Sequence, residues 1–139
     1  MKVKLDPGAY MPKRAHNMDA GYDLKAPRTM KEITIPPHGS AVIPTGVRMA
    51  IPEGCCGLLV SKSGLNVKSD LTSTGLIDAA YTGGITVKLY NQGDIARRIC
   101  PGDKISQIVI LPIIAPELEK VDMLDDTERG ESGFGSTGR

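Results

Sequence analysis

Two carboxylates with apolar neighbours are the side chains of this 139-residue chain best suited to activate water or hold a metal. Asp23 follows Ala-Gly-Tyr and precedes Leu24, and Asp78 stands between Ile77 and Ala79. Apolar neighbours remove water from a carboxylate, and a partly desolvated carboxylate suits a general base. Taken alone, Asp23 is more often a turn or capping carboxylate than a metal ligand, and Asp78 has a similar alternative as a turn residue.

Three further blocks place polar groups where a plain β-domain does not need them. Ser61–Gly64 brings together a cation, a hydroxyl and a glycine N–H, which suits an anion but is also typical of a helix start. Tyr81 follows Asp78 by three positions, in a block from Gly75 to Gly84 that we interpret as a hairpin. Gln107 is a polar residue at the entry to an apolar strand, and a buried Gln needs a hydrogen-bond partner.

The only phenylalanine, Phe134, lies in a glycine-rich segment from Arg129 to Arg139. Such a segment is either a disordered tail or a lid that becomes ordered over a ligand. Its composition alone favours the tail.

Composition limits the class of protein. The formal net charge is +1, from 17 basic and 16 acidic residues scattered along the chain, which argues against an extended nucleic-acid surface. No apolar run is long enough to predict a membrane span. The cysteines Cys55, Cys56 and Cys100 lack a metal-ligand spacing and are odd in number, which favours reduced thiols in a cytoplasmic protein.

The hydrophobic pattern predicts an all-β fold, a jelly-roll-like barrel or sandwich with at most one short helix, at Gly64–Lys68. The segment Ile108–Ile114 is apolar on both faces and therefore needs cover from a second sheet or another subunit. We expect one β-domain over residues 1–121 and a flexible C-terminal lid over residues 122–139. The five predicted strands are Glu32–Ile35, Ser40–Ile51, Cys55–Val60, Gly84–Tyr90 and Lys104–Ile114.

Each block is weak by itself, but their order is informative. Ala-Gly-x-Asp-Leu, Ser-Gly-Leu, Gly-x-Ile-Asp-x-x-Tyr-x-Gly, Gly-Asp-x-Ile-x-Gln and Arg-Gly-x-x-Gly-Phe-Gly-Ser-Thr-Gly follow one another from Ala20 to Gly138. This succession resembles the five motifs of the trimeric dUTP pyrophosphatase (dUTPase) family, across nearly the whole chain. Five partial matches in the same order make coincidence improbable.

The resemblance implies a homotrimer with shared active sites that hydrolyses dUTP to dUMP and pyrophosphate. The charge distribution and hydropathy predict no nucleic-acid or membrane partner. Asp78 matches the residue that activates water for attack on the α-phosphorus, and Asp23 matches a carboxylate that holds Mg²⁺ through water. Ser63 and Arg129 complete the implied catalytic set. The implied substrate-binding residues are Lys62, Ser63, Gly64, Thr72, Gly75, Ile77, Asp78, Tyr81, Thr86, Gln107, Arg129, Phe134, Gly135, Ser136 and Thr137.

The resemblance also implies individual roles and rivals. Tyr81 matches the residue that packs under the deoxyribose, and Arg129 and Phe134 match a γ-phosphate cation and a ring that stacks on uracil. Lys62 departs from the family, which usually has Arg there and so a bidentate fork. Two alternatives are a dCTP deaminase or bifunctional deaminase and dUTPase on the related scaffold, and a non-catalytic nucleotide-sensing module.

Overall fold

The structure, a computed structural model, describes residues 1–128 and residue 130. Within them the chain forms ten β-strands and one short helix. The strands that precede the helix are β1 Val3–Leu5, β2 Gly21–Lys25, β3 Ile33–Ile35, β4 Ser40–Met49 and β5 Cys55–Val60. After the helix, α1 Ser63–Ser69, come β6 Leu71–Thr72, β7 Thr74–Asp78, β8 Ile85–Asn91, β9 Arg97–Ile99 and β10 Lys104–Pro112.

The strands pair antiparallel in two four-stranded sheets and one ribbon. The first sheet has the order β1-β4-β8-β6, the second has the order β2-β10-β5-β7, and β3 pairs with β9. The all-β prediction with one short helix is confirmed, and the sheets form a sandwich. The described residues do not close into a barrel, so that half of the prediction is not realised.

The core between the sheets is aliphatic because alternate residues of each strand point inward. In β8, Ile85, Val87 and Leu89 are buried, whereas the residues between them are exposed. Burying one such side chain stabilises the fold by about 1.5–3 kcal/mol relative to leaving it in water. The other residues of this buried cluster are Leu24, Ala26, Ile35, Ile43, Val47, Met49, Ile51, Leu59, Leu71, Ile99, Ile105 and Ile108.

The chain crosses from one sheet to the other at Ser73. The strand before it, β6, belongs to the first sheet, and the strand after it, β7, belongs to the second. The next strand, β8, lies again in the first sheet. The predicted hairpin at Gly75–Gly84 is therefore wrong, because its two arms pair with different partners, β5 and β4. The segment is a connection between layers.

Residues 113–128, which follow β10, contain no strand or helix and are exposed throughout. Ile114, Leu118 and Met123 are 94%, 96% and 86% exposed. We refer to residues 113–128 as the C-terminal arm. Across the described residues, no helix combines the length and the apolar character that a bilayer crossing requires.

Candidate active site

Asp23 lies in the middle of β2 and is only 7% exposed. Its N–H donates to the carbonyl of Lys13 at 2.9 Å. Its two carboxylate oxygens accept from different cations, Oδ1 from Lys62 Nζ and Oδ2 from Lys104 Nζ, the latter at 2.7 Å. A turn or capping role for Asp23 is therefore wrong, since it is a strand carboxylate between two ammonium groups.

The environment of Asp23 acts on its pKa in two directions. Burial removes water from the carboxylate and works to raise the pKa. The hydrogen bonds from Lys104 and Lys62, with their positive charges, outweigh burial, so the pKa lies below the ordinary Asp value of 3.8. Asp23 is consequently an anion throughout the neutral range, and its charge is balanced within the chain.

Gln107 lies directly opposite Asp23 in the pairing of β10 with β2, and opposite Val60 in the pairing with β5. Its Nε2 donates to the carbonyl of Ser61 at 3.2 Å, so the expected partner of this polar residue is backbone. Gly21 makes room for the amide, because a Cβ built on Gly21 would stand 2.5 Å from Gln107 Oε1. The glycine of the first block and the glutamine of the fourth are thus sterically matched.

The second block begins α1, as the helix-start interpretation expects. Lys62 is the N-cap residue with extended backbone angles, and no side chain caps the helix. Ser63 and Gly64 form its exposed first turn, where backbone N–H groups have no partner inside the helix. These residues therefore offer a hydroxyl and N–H donors directly after Lys62 in the chain.

Three serines form a hydrogen-bonded cluster beneath this end of the second sheet. Ser61 Oγ donates to the carbonyl of Ser73 at 3.1 Å and accepts from its N–H at 2.8 Å. Ser106 Oγ donates to the carbonyl of Val60 at 3.1 Å and lies 2.9 Å from Ser73 Oγ. The serine cluster ties β5, β10 and the crossing between sheets together. Sequence reasoning missed Ser73 and Ser106, because a serine carries no spacing signal that separates it from a loop residue.

Asp78 is the last residue of β7, and its side chain is exposed in the single chain. The expected desolvation by Ile77 and Ala79 is therefore not found, because neighbours in a strand point to the opposite face. The N–H of Tyr81 donates to the carbonyl of Asp78 at 3.1 Å, and the Tyr81 hydroxyl donates to the carbonyl of Gly84 at 3.1 Å. The turn therefore fixes the tyrosine relative to the end of β7.

The remaining substrate candidates divide between the two sheets. Gly75 and Ile77 lie in β7 of the second sheet, opposite Leu59 and Gly57. Thr72 and Thr86 lie in the first sheet, on the neighbouring strands β6 and β8. Arg129, Phe134, Gly135, Ser136 and Thr137 lie outside the residues that the structure describes.

The two candidate carboxylates stand far apart on the same outer face of the second sheet. Asp78 pairs with Cys56 of β5, whereas Gln107 pairs with Val60 at the other end of that strand. The four-residue offset is about 13 Å along the strand, and the three strand spacings from β7 to β2 add about 14 Å across the sheet. In one chain, therefore, Asp78 does not meet the group formed by Asp23, Lys62 and Gln107.

An apolar stripe fills the space between the two ends. Leu58, Leu76, Val109 and Leu111 lie on this outer face, and Leu76 is 61% and Leu111 38% exposed. The doubly apolar segment therefore does have an outer face to cover, as its pattern predicts. No second sheet of the described residues covers it.

Metal-binding groups are sparse within residues 1–128. No three His, Cys, Asp or Glu side chains come together there in a way that could hold an ion. Asp23 is a lone carboxylate flanked by cations. This donor set suits an ion that takes most of its ligands from water and phosphate, as Mg²⁺ commonly does.

Comparison with known proteins agrees with the order of the five blocks. The dUTPase family model matches residues 8–138. The deoxyuridine 5'-triphosphate nucleotidohydrolase of Oryza sativa subsp. japonica is 42% identical over 140 residues, which cover 99% of this chain and 80% of the rice protein.

Solved structures agree on the fold. The dUTPase of Staphylococcus bacteriophage 80alpha, solved with dUPNHPP, has a TM-score of 0.89 at 37% identity and covers 99% of this chain and 98% of its own. A mutant dUTPase from phage phi11 of S. aureus, with a coordinated structural Mg(II) ion, has a TM-score of 0.77 at 35% identity and covers 88% and 96%. The match over nearly the full length, together with the succession of blocks, places the chain in the dUTPase family.

Proposed function

We propose that water activated by Asp78 attacks the α-phosphorus of dUTP, in a Mg²⁺-assisted reaction at sites shared between the subunits of a homotrimer. The coarser part follows from family membership: the chain is a dUTP diphosphatase, a hydrolase that converts dUTP to dUMP and pyrophosphate. The observation that carries the finer proposal is the separation of Asp78 from Lys62 and Gln107. A base must lie within hydrogen-bond reach of the attacking water, so the two ends cannot act on one phosphate within one chain.

The apolar stripe supports an assembly in which a second copy brings the missing end. Leu76 is 61% exposed and Leu111 is 38% exposed, and both lie between the two carboxylates. Burial of these side chains against another chain would be favourable. The C-terminal arm adds apolar residues that are almost fully exposed within the described part of the chain, such as Ile114 and Leu118. Both features suit a closed oligomer in which each copy covers the next.

At the phosphate end, by which we mean the group formed by Asp23, Lys62 and Gln107, one chain supplies several of the proposed phosphate contacts. Lys62 and Lys104 are ammonium donors beside one carboxylate, and Ser63 and Gly64 present a hydroxyl and N–H groups at the start of α1. Phosphoryl transfer depends chiefly on positioning and on neutralising charge around an oriented nucleophile. We infer that the two lysines share their charge between Asp23 and the incoming triphosphate.

Asp23 would hold Mg²⁺ through water, with the phosphate chain supplying further oxygens. When bound, the ion would supply positive charge that offsets the phosphate oxygens. Asp23 fits this role because it is anionic at neutral pH and is the one buried carboxylate among the residues that the structure describes. Metal and lysine then compete for the same two oxygens, which predicts that Mg²⁺ binds weakly before nucleotide.

We propose that the sugar and the base bind at the Asp78 end of the second sheet. The Tyr81 ring lies against Gly83, where a Cβ would stand 2.4 Å from the phenol oxygen, and its hydroxyl is fixed on Gly84. A fixed ring under the sugar leaves no space for a ribose 2′-OH. Gly75, Ile77, Thr72 and Thr86 are proposed to contact uracil. The lid of residues 122–139, with Arg129, Phe134, Gly135, Ser136 and Thr137, is proposed to close the site and order on nucleotide. Cytoplasmic location stays a prediction.

A release assay separates this function from its rivals. Pyrophosphate release is measured for dUTP, dTTP, dCTP and UTP, with and without Mg²⁺, beside ammonia release from dCTP. We expect pyrophosphate from dUTP alone, at a rate that falls steeply without Mg²⁺. Ammonia from dCTP would instead indicate the deaminase, and no turnover of any nucleotide would indicate the sensing module.

Subunit complementation tests the shared site directly. Asp78→Asn and Lys62→Met are each purified inactive, then unfolded and refolded together in equal amounts. If Asp78 and Lys62 of one site come from different subunits, random assembly restores about a quarter of the wild-type activity. Half of the subunits carry an intact Asp78 and half carry an intact Lys62, so about a quarter of the sites contain both. Refolding Asp78→Asn with Asp78→Ala is the matched control and stays inactive. Failure of the first mixture to regain activity would contradict the shared site.

A further inference from the structure

A basic cavity of about 510 Å³ opens beside Asp23, and most of its basic lining residues lie outside the five blocks of the sequence. Asp23 stands in its wall at one side. The basic side chains that line it are Lys13, Arg14, Lys25, Arg28 and Lys104, with Tyr10 among them. Only Lys104 among these five cations belongs to one of the five blocks.

Backbone pairing brings these cations together. Lys13 forms a bridge with Asp23, so the segment before β2 runs antiparallel beside that strand. On its other side, β2 places Lys25 opposite Lys104 of β10. The N–H of Arg28 donates to the carbonyl of Gly8 at 2.9 Å, which closes the loop over this end. Backbone pairing therefore fixes the positions of Lys13, Lys25 and Lys104 in the cavity wall.

The charge in the cavity is out of balance. Five cations face one carboxylate, and that carboxylate is already contacted by Lys62 and Lys104. The chain as a whole carries a formal charge of only +1, so this surface concentrates positive charge that the total conceals. Like charges gathered in one cavity repel one another, and a multivalent anion is the ligand that relieves this repulsion.

The aromatic ring in the cavity indicates which anion. Lys25 Nζ stands 5.1 Å and Arg28 Cζ 4.1 Å from the centroid of Tyr10. A ring engaged by two cations through its π-system is poorly suited to stack on a nucleobase as well. The ligand is thus inorganic in character, and a condensed phosphate has the charge and the oxygen count for several donors.

We propose that the basic cavity binds a condensed inorganic phosphate, with the pyrophosphate released beside Asp23 as its source. The identity of that source rests on the proposed function, whereas binding itself does not. Pyrophosphate leaving the phosphate end would pass Asp23 and Lys104, which belong to both places, and enter the cavity. The cavity would then clear the phosphate end for the next nucleotide and give pyrophosphate a second place to bind.

The test is calorimetric titration with sodium pyrophosphate in the absence of nucleotide, in a Lys62→Met background that weakens the phosphate end. We expect pyrophosphate still to bind, and the added pair Lys25→Gln and Arg28→Gln to weaken it by at least about tenfold, since each charge-assisted hydrogen bond supplies about that factor. Lys88→Gln is the matched control, because Lys88 also stands over a tyrosine ring, Tyr90 at 5.0 Å, away from the cavity. It should leave the affinity unchanged.

Loss of all pyrophosphate binding in Lys62→Met alone would overturn the proposal, as would equal affinity in the paired variant. Orthophosphate binding as tightly as pyrophosphate would overturn the assignment to a condensed phosphate. Lys13→Gln, a change of an exposed side chain, repeats the test if the paired variant fails to fold, and a several-fold weaker affinity is expected. Because no turnover is involved, failure of dUTP hydrolysis would leave this result standing.

Discussion

The two ends of the second sheet differ in how far one chain completes them. At the Asp23 end, a buried carboxylate, two lysines, a glutamine on backbone and three serines satisfy one another. At the Asp78 end, an exposed carboxylate ends its strand, and the neighbouring tyrosine bonds only within its own turn. The first end is held by contacts within one chain before any ligand arrives, whereas the side chain of Asp78 is left exposed. In the proposed mechanism, chemistry that needs both ends depends on assembly.

The largest expected effect comes from breaking the incomplete end. Asp78→Asn keeps the size of the side chain but removes the proposed base, so kcat should fall by about 10²–10⁴-fold. Binding of a non-hydrolysable dUTP analogue, measured by calorimetry, should change by no more than a few fold. Near-normal turnover would contradict the assignment of Asp78 as the base.

Removal of residues 129–139 should have the next largest effect. The described strands do not include this segment, so the truncated chain should keep its fold and oligomeric state, checked by light scattering. Activity should fall by about a hundredfold, because Arg129 and Phe134 are proposed to cover the nucleotide. A truncated protein with full activity would show that the segment has no part in the site.

Specificity should respond to Tyr81 at the same end. Tyr81→Ala opens the space under the sugar, so the ratio of kcat/KM for UTP to that for dUTP should rise by about tenfold. Tyr81→Phe is the control, since it keeps the ring and removes only the hydrogen bond to Gly84. If both variants leave the ratio unchanged, the sugar gate lies elsewhere.

The smallest expected effect concerns the Asp23 end, where we expect the free energy of unfolding to depend on pH. Asp23 has a pKa below its ordinary value, so its pairing stabilises the fold above about pH 4, and this stabilisation is lost as the pH falls through the folded-state pKa. Asp23→Asn should lower the free energy of unfolding by about 1–2 kcal/mol at pH 7. The difference should shrink as the pH is lowered below about 4, in denaturant titrations at one protein concentration.

Asp125→Asn, in the exposed arm, is the control for that titration and should follow the wild type at every pH. A constant deficit for Asp23→Asn down to pH 2 would mean that its effect does not come from the carboxylate charge.

Much of the fold could be predicted from the sequence because the long strands carry a clear period. Cys55–Val60 is predicted with its observed ends, and the predicted helix at Gly64–Lys68 extends by one residue on each side. The strand predicted at Ser40–Ile51 ends earlier, at Met49. Among the short strands, β3 was predicted as Glu32–Ile35, whereas β1, β6 and β9 were not, because two or three residues cannot display a period.

The candidate site was predictable as a set of residues but not as an arrangement. Order along the chain identified Asp23, Lys62 and Gln107, and the pairing of β2, β10 and β5 brings them together. The distance to Asp78 depends on strand register, which no local pattern contains. Lys104 was visible in the fourth block, yet its contact with Asp23 appears only once β2 and β10 are paired. The basic residues look scattered along the sequence, and several of them line one cavity only once the chain is folded.

Because Gly21 and Gln107 are sterically matched, substitutions at these two positions, which are distant in sequence, are coupled. A methyl group at 21 would push the Gln107 amide off the carbonyl of Ser61. A substitution at either position therefore has a different cost depending on the residue at the other. Anyone redesigning this enzyme should change them as a pair, for example Gly21→Ala with Gln107→Ser, and expect the two single changes to be poor guides to the double one.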